Sequence, residues 1–143
     1  MQKYLGLDTL NNSFIMDNTK FLLLNSCYMK KNRTDYAYCK KNFEKETDLY
    51  PVISDFEVKW LCEDMSSKEY NYVIFSHQSL VNDFAQRGIA NRQEIQDILL
   101  TRKTILYMNG HDHGQECKFV QNIPYYTLNS MSYIWHGLKE VYS

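Results

Sequence analysis

Residues 71–77, NYVIFSH, and residues 104–114, TILYMNGHDHG, share one pattern, which is a short apolar run that ends in polar residues with histidine. Short runs of this composition predict buried strands. Between them, Asn91 precedes an apolar stripe formed by Ile95, Ile98 and Leu99, and this arrangement predicts a capped helix. Strand, helix and strand, with polar residues at corresponding ends, predict an α/β fold.

The composition is that of one globular domain spanning residues 1–143. Apolar residues make up 44% of the chain and charged residues 23%, and the 12 Tyr and 7 Phe favour strands over a helical bundle. A chain of this length buries a sizeable core without disulfides or structural metals.

Further elements flank the central pair of strands. Residues 13–16 and 19–25 predict two strands joined by a tight turn at Asp17-Asn18, and the second strand is apolar on both faces, as interior strands are. Ser54 and Glu57 form a capping box that begins a helix over residues 54–66. The remaining predictions are a partly helical surface excursion over residues 30–51, a hairpin over 117–120 and 123–128, and a strand over 131–135.

Charge and cysteine usage exclude several classes of partner. The formal net charge is −1, and the small basic cluster Lys30–Arg33 is diluted by acidic neighbours, so we expect no binding to nucleic acid. The apolar runs are too short for a membrane span, so we expect no membrane insertion. Four scattered cysteines without a CxxC pair predict reduced thiols and a cytoplasmic protein.

Three of the four histidines lie at the ends of predicted strands. His111 and His113 would project from one side if strand geometry continued through Gly110, because strand side chains alternate. His77 ends the neighbouring strand, and ligands of open α/β sheets bind beyond such ends. Imidazole nitrogens bind zinc, manganese and iron, so the pattern indicates a metal site. Hydrogen-bonded turn residues are the alternative interpretation.

The strand ending in His77 and the later Gly110-His111-Asp112-His113 resemble the final motifs of calcineurin-like metallophosphoesterases, which end in a ligand His and in GHxH. Weaker similarity covers most of the chain. It includes Phe21–Ser26, the helix with Glu57, Trp60 and Leu61, and residues 123–126 and 129–133.

The resemblance implies half of a four-layer α/β/β/α sandwich with a mixed sheet and flanking helices, and hydrolysis of phosphoesters by two divalent ions, Mn, Fe or Zn. It implies that His77 and His111 bind one metal and His113 the other. Asn109 and Asn129 are candidates for orienting a ligand or contacting phosphate, or else for forming turns. Asp112 fills the variable position, and His136 falls outside the motifs.

The family's earlier motifs, Asp-x-His, Gly-Asp and Gly-Asn-His, are missing, and no histidine precedes His77. The chain is therefore expected to be a partial domain that lacks the N-terminal half. Three imidazoles without carboxylates cannot hold two adjacent dications, so we expect weak binding of one metal and little or no catalysis by this chain alone. An uncovered sheet face would favour self-association.

Two alternatives remain open. The first is a catalytically dead α/β module that is retained for binding or assembly. The second is a structural site for a single zinc ion, for which Cys117 is the nearest candidate as the fourth ligand.

Overall fold

A six-stranded mixed sheet forms the centre of the fold in the computed structural model, which describes residues 11–31, 34–37, 50–82, 88–111 and 114–129. In chain order its strands are β1 Asn12–Met16, β2 Thr19–Leu23, β6 Asn71–Ser76, β7 Thr104–Asn109, β8 Glu116–Val120 and β9 Ile123–Thr127. They lie side by side in the order β1-β2-β6-β7-β9-β8. The α/β prediction is confirmed.

Parallel pairing brings the carboxyl ends of several strands to one edge of this sheet. β2, β6, β7 and β9 run parallel to one another, while the hairpin partners β1 and β8 run antiparallel at the two sides. The predicted first hairpin is present, and Asp17 supplies the left-handed residue of its turn with φ 52°. The carboxyl ends of the four parallel strands therefore meet at one edge.

Two helices connect the parallel strands, namely α1, Asp55–Asp64, and α2, Arg92–Leu100. They pack their apolar residues, including Leu61, Ile95 and Leu99, into the same buried core as the sheet residues Leu22, Ile74, Tyr107 and Tyr125. These four sheet residues are register partners in one row across β2, β6, β7 and β9, and all are fully buried. This row defines the inner face of the sheet.

The opposite side of the sheet, here called the outer face, is equally apolar. The alternation of the strands places many large side chains there, six of which are Phe14, Phe21, Phe75, Leu106, Met108 and Tyr126. Phe14 stacks on Phe21 with ring centroids 5.0 Å apart, and Phe21 stacks on Phe75 at 6.4 Å. In contrast to the inner row, all six remain partly or largely exposed.

The prediction of a partly helical surface excursion over residues 30–51 is wrong for the part of it that the structure describes, which forms strands. A three-stranded antiparallel sheet, in the order β4-β3-β5, is formed by β3 Tyr28–Lys31, β4 Thr34–Ala37 and β5 Tyr50–Val52. Strand pairing satisfies the backbone of these three strands, although their apolar residues show no period of two. The strand predicted over residues 131–135 lies outside the described residues.

The helix starts are as predicted, but their caps differ in detail. Ser54 Oγ accepts the N–H of Glu57, as a capping box requires. The Glu57 side chain, however, turns away from the cap and accepts the N–H of Asn25. Asn91 makes no side-chain cap; its amide instead bonds both the N–H and the carbonyl of Ile53. Both side chains tie their helix to another part of the chain.

Candidate metal centre

The ends of β6 and β7 bring two of the predicted histidines together. Ser76 of β6 and Asn109 of β7 are register partners at the last position of both strands, so the chain leaves the sheet side by side at His77 and Gly110. The Gly110 N–H donates to the His77 carbonyl at 3.2 Å, which extends the contact one step beyond the strands.

The imidazoles of His77 and His111 face each other. His77 Nε2 lies 3.1 Å from His111 Nδ1, and the rings meet edge to face at an interplanar angle of 73°. His77 is exposed and His111 half-buried, so solvent ions can reach both rings. When one ring nitrogen carries a proton, the contact is a hydrogen bond, and when neither does, two lone pairs point into the same space.

The nitrogen separation fits two ligands of a single metal ion. For metal–nitrogen bonds of about 2.0 to 2.1 Å, a 3.1 Å separation gives an angle of roughly 95 to 100° at the metal, between the octahedral value of about 90° and the tetrahedral value of about 109°. The distance between these two nitrogens is therefore compatible both with a shared divalent ion and with a direct hydrogen bond. The described residues include no group of three or more His, Cys, Asp or Glu side chains that could hold a metal.

The backbone at His111 differs from the expected strand geometry. β7 ends at Asn109, and His111 has φ 68°, in the left-handed region that non-glycine residues rarely adopt. Strand geometry therefore does not continue through Gly110, and the alternation of strand side chains does not set the direction of His111. Gly110, by contrast, needs no special freedom, because a Cβ there would meet only His77 Nδ1 at an ordinary 4.0 Å. His113 lies outside the described residues.

Asn109 is a buried residue whose amide is used within the protein. Its Nδ2 donates to the Gly110 carbonyl at 2.9 Å, and its Oδ1 accepts from Thr127 Oγ1 at 3.3 Å. Its backbone carbonyl accepts the N–H of Leu128 at 2.7 Å. The side chain thus holds the turn that leads into His111. Asn129 is half-buried and follows Leu128 directly, which places it at the same edge of the sheet.

Cys117, the alternative zinc ligand, is two strands away from the strand that leads into His111. It lies exposed on β8, and β9 separates β8 from β7. Two strand spacings amount to about 9.6 Å, which is too far for a shared metal with thiolate bonds of about 2.3 Å.

The sequence analysis missed one contributor to this edge, the Asn25-Ser26 pair that follows β2. Ser26 is 2% exposed, and its Oγ accepts the backbone N–H of His77 at 3.2 Å and that of Gln78 at 3.4 Å. The available signal was the one used for Ser76-His77, namely polar residues directly after a buried apolar run.

The buried carboxyl of Glu57 lies behind this segment. Glu57 is 2% exposed, and its Oε2 accepts the Asn25 N–H at 3.3 Å. Burial raises the pKa of Glu57 to about 7, and the hydrogen bond from Asn25 opposes part of that rise.

A similar effect of burial operates in the core below. It raises the pKa of Tyr125 to about 12 and moves the pKa of Tyr107 upward as well, so both phenols are neutral. Tyr107 donates to the Gln78 carbonyl at 3.0 Å, and its hydroxyl also contacts Ser76 Oγ. The loop that carries His77 is therefore anchored from beneath.

Two solved structures show what this fold is similar to. A dimetal phosphatase from Danio rerio matches with a TM-score of 0.64 and 17% identity, over 87% of this chain and 50% of the phosphatase. GAP50, described as the anchor in the inner membrane complex of Plasmodium, matches with a TM-score of 0.54 and 16% identity, over 84% of this chain and 36% of its own. The chain thus spans half or less of either protein.

The other comparisons are negative. No protein-family model matches the sequence, and no curated protein matches it. None of the helices in the described part of the chain has the length and apolarity needed to cross a membrane. What the comparisons establish is the fold, an α/β arrangement with a mixed sheet like that of a dimetal phosphatase.

Proposed function

We propose that this chain is the C-terminal half of a metallophosphoesterase domain, and that it hydrolyses phosphoesters only when the N-terminal half is supplied. The observation that supports the proposal most directly is the 3.1 Å approach of His77 Nε2 to His111 Nδ1 at adjoining strand ends. The match to half of a dimetal phosphatase supports the wider assignment.

The chemistry assigned to the chain follows from its donors. His77 and His111 would bind one divalent ion, Mn, Fe or Zn, and His113 would contribute to a second ion in the complete domain. Such ions hold the phosphate oxygens and lower the pKa of a bound water. Asn109 would keep the His111 turn in place, and Asn129 is proposed to contact phosphate or orient a ligand.

Catalysis by the chain alone is expected to be negligible. Two adjacent dications repel each other strongly, and bridging carboxylates are needed to offset that repulsion. The missing Asp-x-His, Gly-Asp and Gly-Asn-His motifs would supply them in the family that the sequence resembles. We therefore expect binding of one ion at the His77–His111 pair without turnover.

Thermal unfolding with and without zinc separates this proposal from a catalytically dead module that binds no metal. A ligand that binds only the folded state raises the melting temperature, and zinc at about 100 times its Kd would stabilise by about 2.7 kcal/mol. We expect the wild type and His136→Ala to respond, and His77→Ala not to respond. An unchanged melting temperature in the wild type would favour the dead module.

Turnover of p-nitrophenyl phosphate with manganese tests the second part of the proposal. We expect no metal-dependent turnover by the chain alone. Turnover that persists in His77→Ala and His113→Ala would show that the activity uses another site, and the assignment would be wrong.

We also propose that the chain self-associates through the outer face. None of the six outer-face side chains is charged, so two copies could pack face to face without repulsion. The area of the outer face follows from the dimensions of the sheet. Its width is six strands about 4.8 Å apart and its length is five residues of about 3.3 Å each, which gives ~480 Å² per copy. Two copies would then bury on the order of 1,000 Å², enough for a weak specific dimer.

Light scattering after size exclusion tests the dimer. We expect a mass near twice 17.1 kDa at high protein concentration, and the monomer mass for Phe14→Lys. Phe56→Lys is the control, because Phe56 is 68% exposed on α1 and does not belong to the outer face. Wild type that remains monomeric at millimolar concentration would refute self-association.

A cytoplasmic location remains a proposal as well. Its support is that Cys27, Cys62 and Cys117, the cysteines within the described residues, form no disulfides.

A further inference from the structure

We propose that Ser26 is a positioning residue, which fixes the backbone of His77 so that its imidazole meets that of His111. The inference rests on the proposed metal site and adds to it a residue from a different strand. Ser26 follows β2, and 51 residues separate it from His77 along the chain.

The Ser26 hydroxyl has two partners in the loop of His77. One hydroxyl oxygen accepts two consecutive backbone N–H groups, those of His77 and Gln78, at 3.2 and 3.4 Å. Ser26 and Gln78 are buried, at 2% and 9% exposure, so water has little access to replace these bonds. Without the hydroxyl, both N–H groups would lose this acceptor at a position where the loss of a hydrogen bond is costly.

His77 is exposed, in contrast to the two residues that follow it. The backbone therefore sets the point from which this side chain leaves the loop, and the ring then meets that of His111 edge to face. Ser26 holds that backbone through the His77 N–H, and Gly110 holds it through the His77 carbonyl. With both bonds in place, Nε2 reaches 3.1 Å from His111 Nδ1.

The segment that carries Ser26 is itself fixed. The N–H of Leu24 continues the sheet ladder by donating to the Phe75 carbonyl at 2.8 Å. The next N–H, that of Asn25, donates to the buried carboxylate of Glu57 on α1, and Asn25 Oδ1 accepts the N–H of Cys27. Ser26 therefore connects helix α1 and strand β2 to the loop of His77.

The chain contains a matched control in Ser79. Ser79 is 1% exposed, and its Oγ also accepts two backbone N–H groups, those of Val81 and Asn82, at 3.0 and 3.1 Å. Its bonds close a local turn and do not involve His77. Loss of either hydroxyl should thus disturb the fold to a similar extent, but only loss of the Ser26 hydroxyl should disturb the imidazole pair.

The test is a zinc titration of the full chain, followed by competition with a chromogenic chelator. We expect Ser26→Ala to weaken zinc binding about 10-fold or more, within the range found for residues that orient metal ligands. Ser79→Ala should bind zinc as the wild type does, and Ser26→Thr, which keeps the hydroxyl oxygen, should restore most of the affinity.

Equal zinc affinity in Ser26→Ala and Ser79→Ala would overturn the inference. If either alanine variant fails to fold, Ser26→Cys is compared with Ser79→Cys, because sulfur is only a weak acceptor, and the same difference is expected. A wild type that binds zinc no better than His77→Ala would instead contradict the proposed metal site, so the two failures are distinguishable.

Discussion

Replacement of Glu57 by Gln is expected to stabilise the protein at alkaline pH and to leave its stability nearly unchanged below about pH 4. Glu57 is 2% exposed on the first turn of α1, and its carboxylate accepts one backbone N–H, from Asn25. Glutamine has almost the same shape and keeps an oxygen acceptor for that N–H, but it never carries a charge. The substitution therefore removes only the cost of burying the charge.

The sign and size of the effect follow from linkage. The pKa of Glu57 rises from 4.5 to about 7 on folding, so the folded state holds this proton more tightly than the unfolded state. The stability that the group contributes is complete below pH 4.5 and is lost as the pH rises to about 7. A difference of this size corresponds to about 3 kcal/mol, which is the expected gain of Glu57→Gln above neutral pH.

Urea denaturation at several pH values from about 5 to about 8.5 measures the effect. Glu63→Gln is the control, because Glu63 belongs to the same helix and its side chain is 68% exposed. We expect the free energies of unfolding of wild type and Glu57→Gln to diverge with rising pH, and those of wild type and Glu63→Gln to remain parallel. Parallel curves for Glu57→Gln would refute the reasoning.

Three further substitutions test the local geometry by denaturant unfolding. His111 has φ 68°, so His111→Gly should be more stable than His111→Ala by roughly 1 kcal/mol, and equal stabilities would contradict the backbone description. Gly110→Ala should change the free energy of unfolding by less than about 0.5 kcal/mol, since the new Cβ would lie at van der Waals distance from His77 Nδ1. A larger loss of stability would show that the turn is tighter than described. Lys20→Met should lower the free energy of unfolding by about 1 to 3 kcal/mol, because Asp64, 2.8 Å from Lys20 Nζ, would keep a half-buried charge without its partner. An unchanged free energy of unfolding would show the ion pair to be unimportant.

The fold class could be predicted because its elements carry strong local signals. The apolar runs of β6 and β7, the capping residue of α1 and the Asp17 turn each specify their structure over a few residues. The antiparallel sheet β4-β3-β5 could not be predicted, because its residues alternate poorly and its stability depends on pairing between segments distant along the chain.

The proximity of His77 and His111 could be predicted from topology alone, since parallel neighbouring strands end at the same edge. The left-handed conformation of His111 could not be predicted, because it depends on a turn that follows the end of β7. The polar residues after β2 indicate that Ser26 lies at this edge, but its partner could not be predicted, because the bond joins positions 51 apart along the chain. The same applies to Glu57, whose capping-box position indicated a local partner rather than Asn25.

We propose that His77 and His111 bind a common metal ion, the first through Nε2 and the second through Nδ1. Long-range proton–nitrogen NMR of the imidazole rings, recorded as zinc is added, tests this most directly. We expect the resonances of His77 Nε2 and His111 Nδ1 to move together to metal-bound positions with one zinc per chain, while those of His136 stay in place. Zinc that leaves both nitrogens unchanged, or that shifts one without the other, would contradict the account.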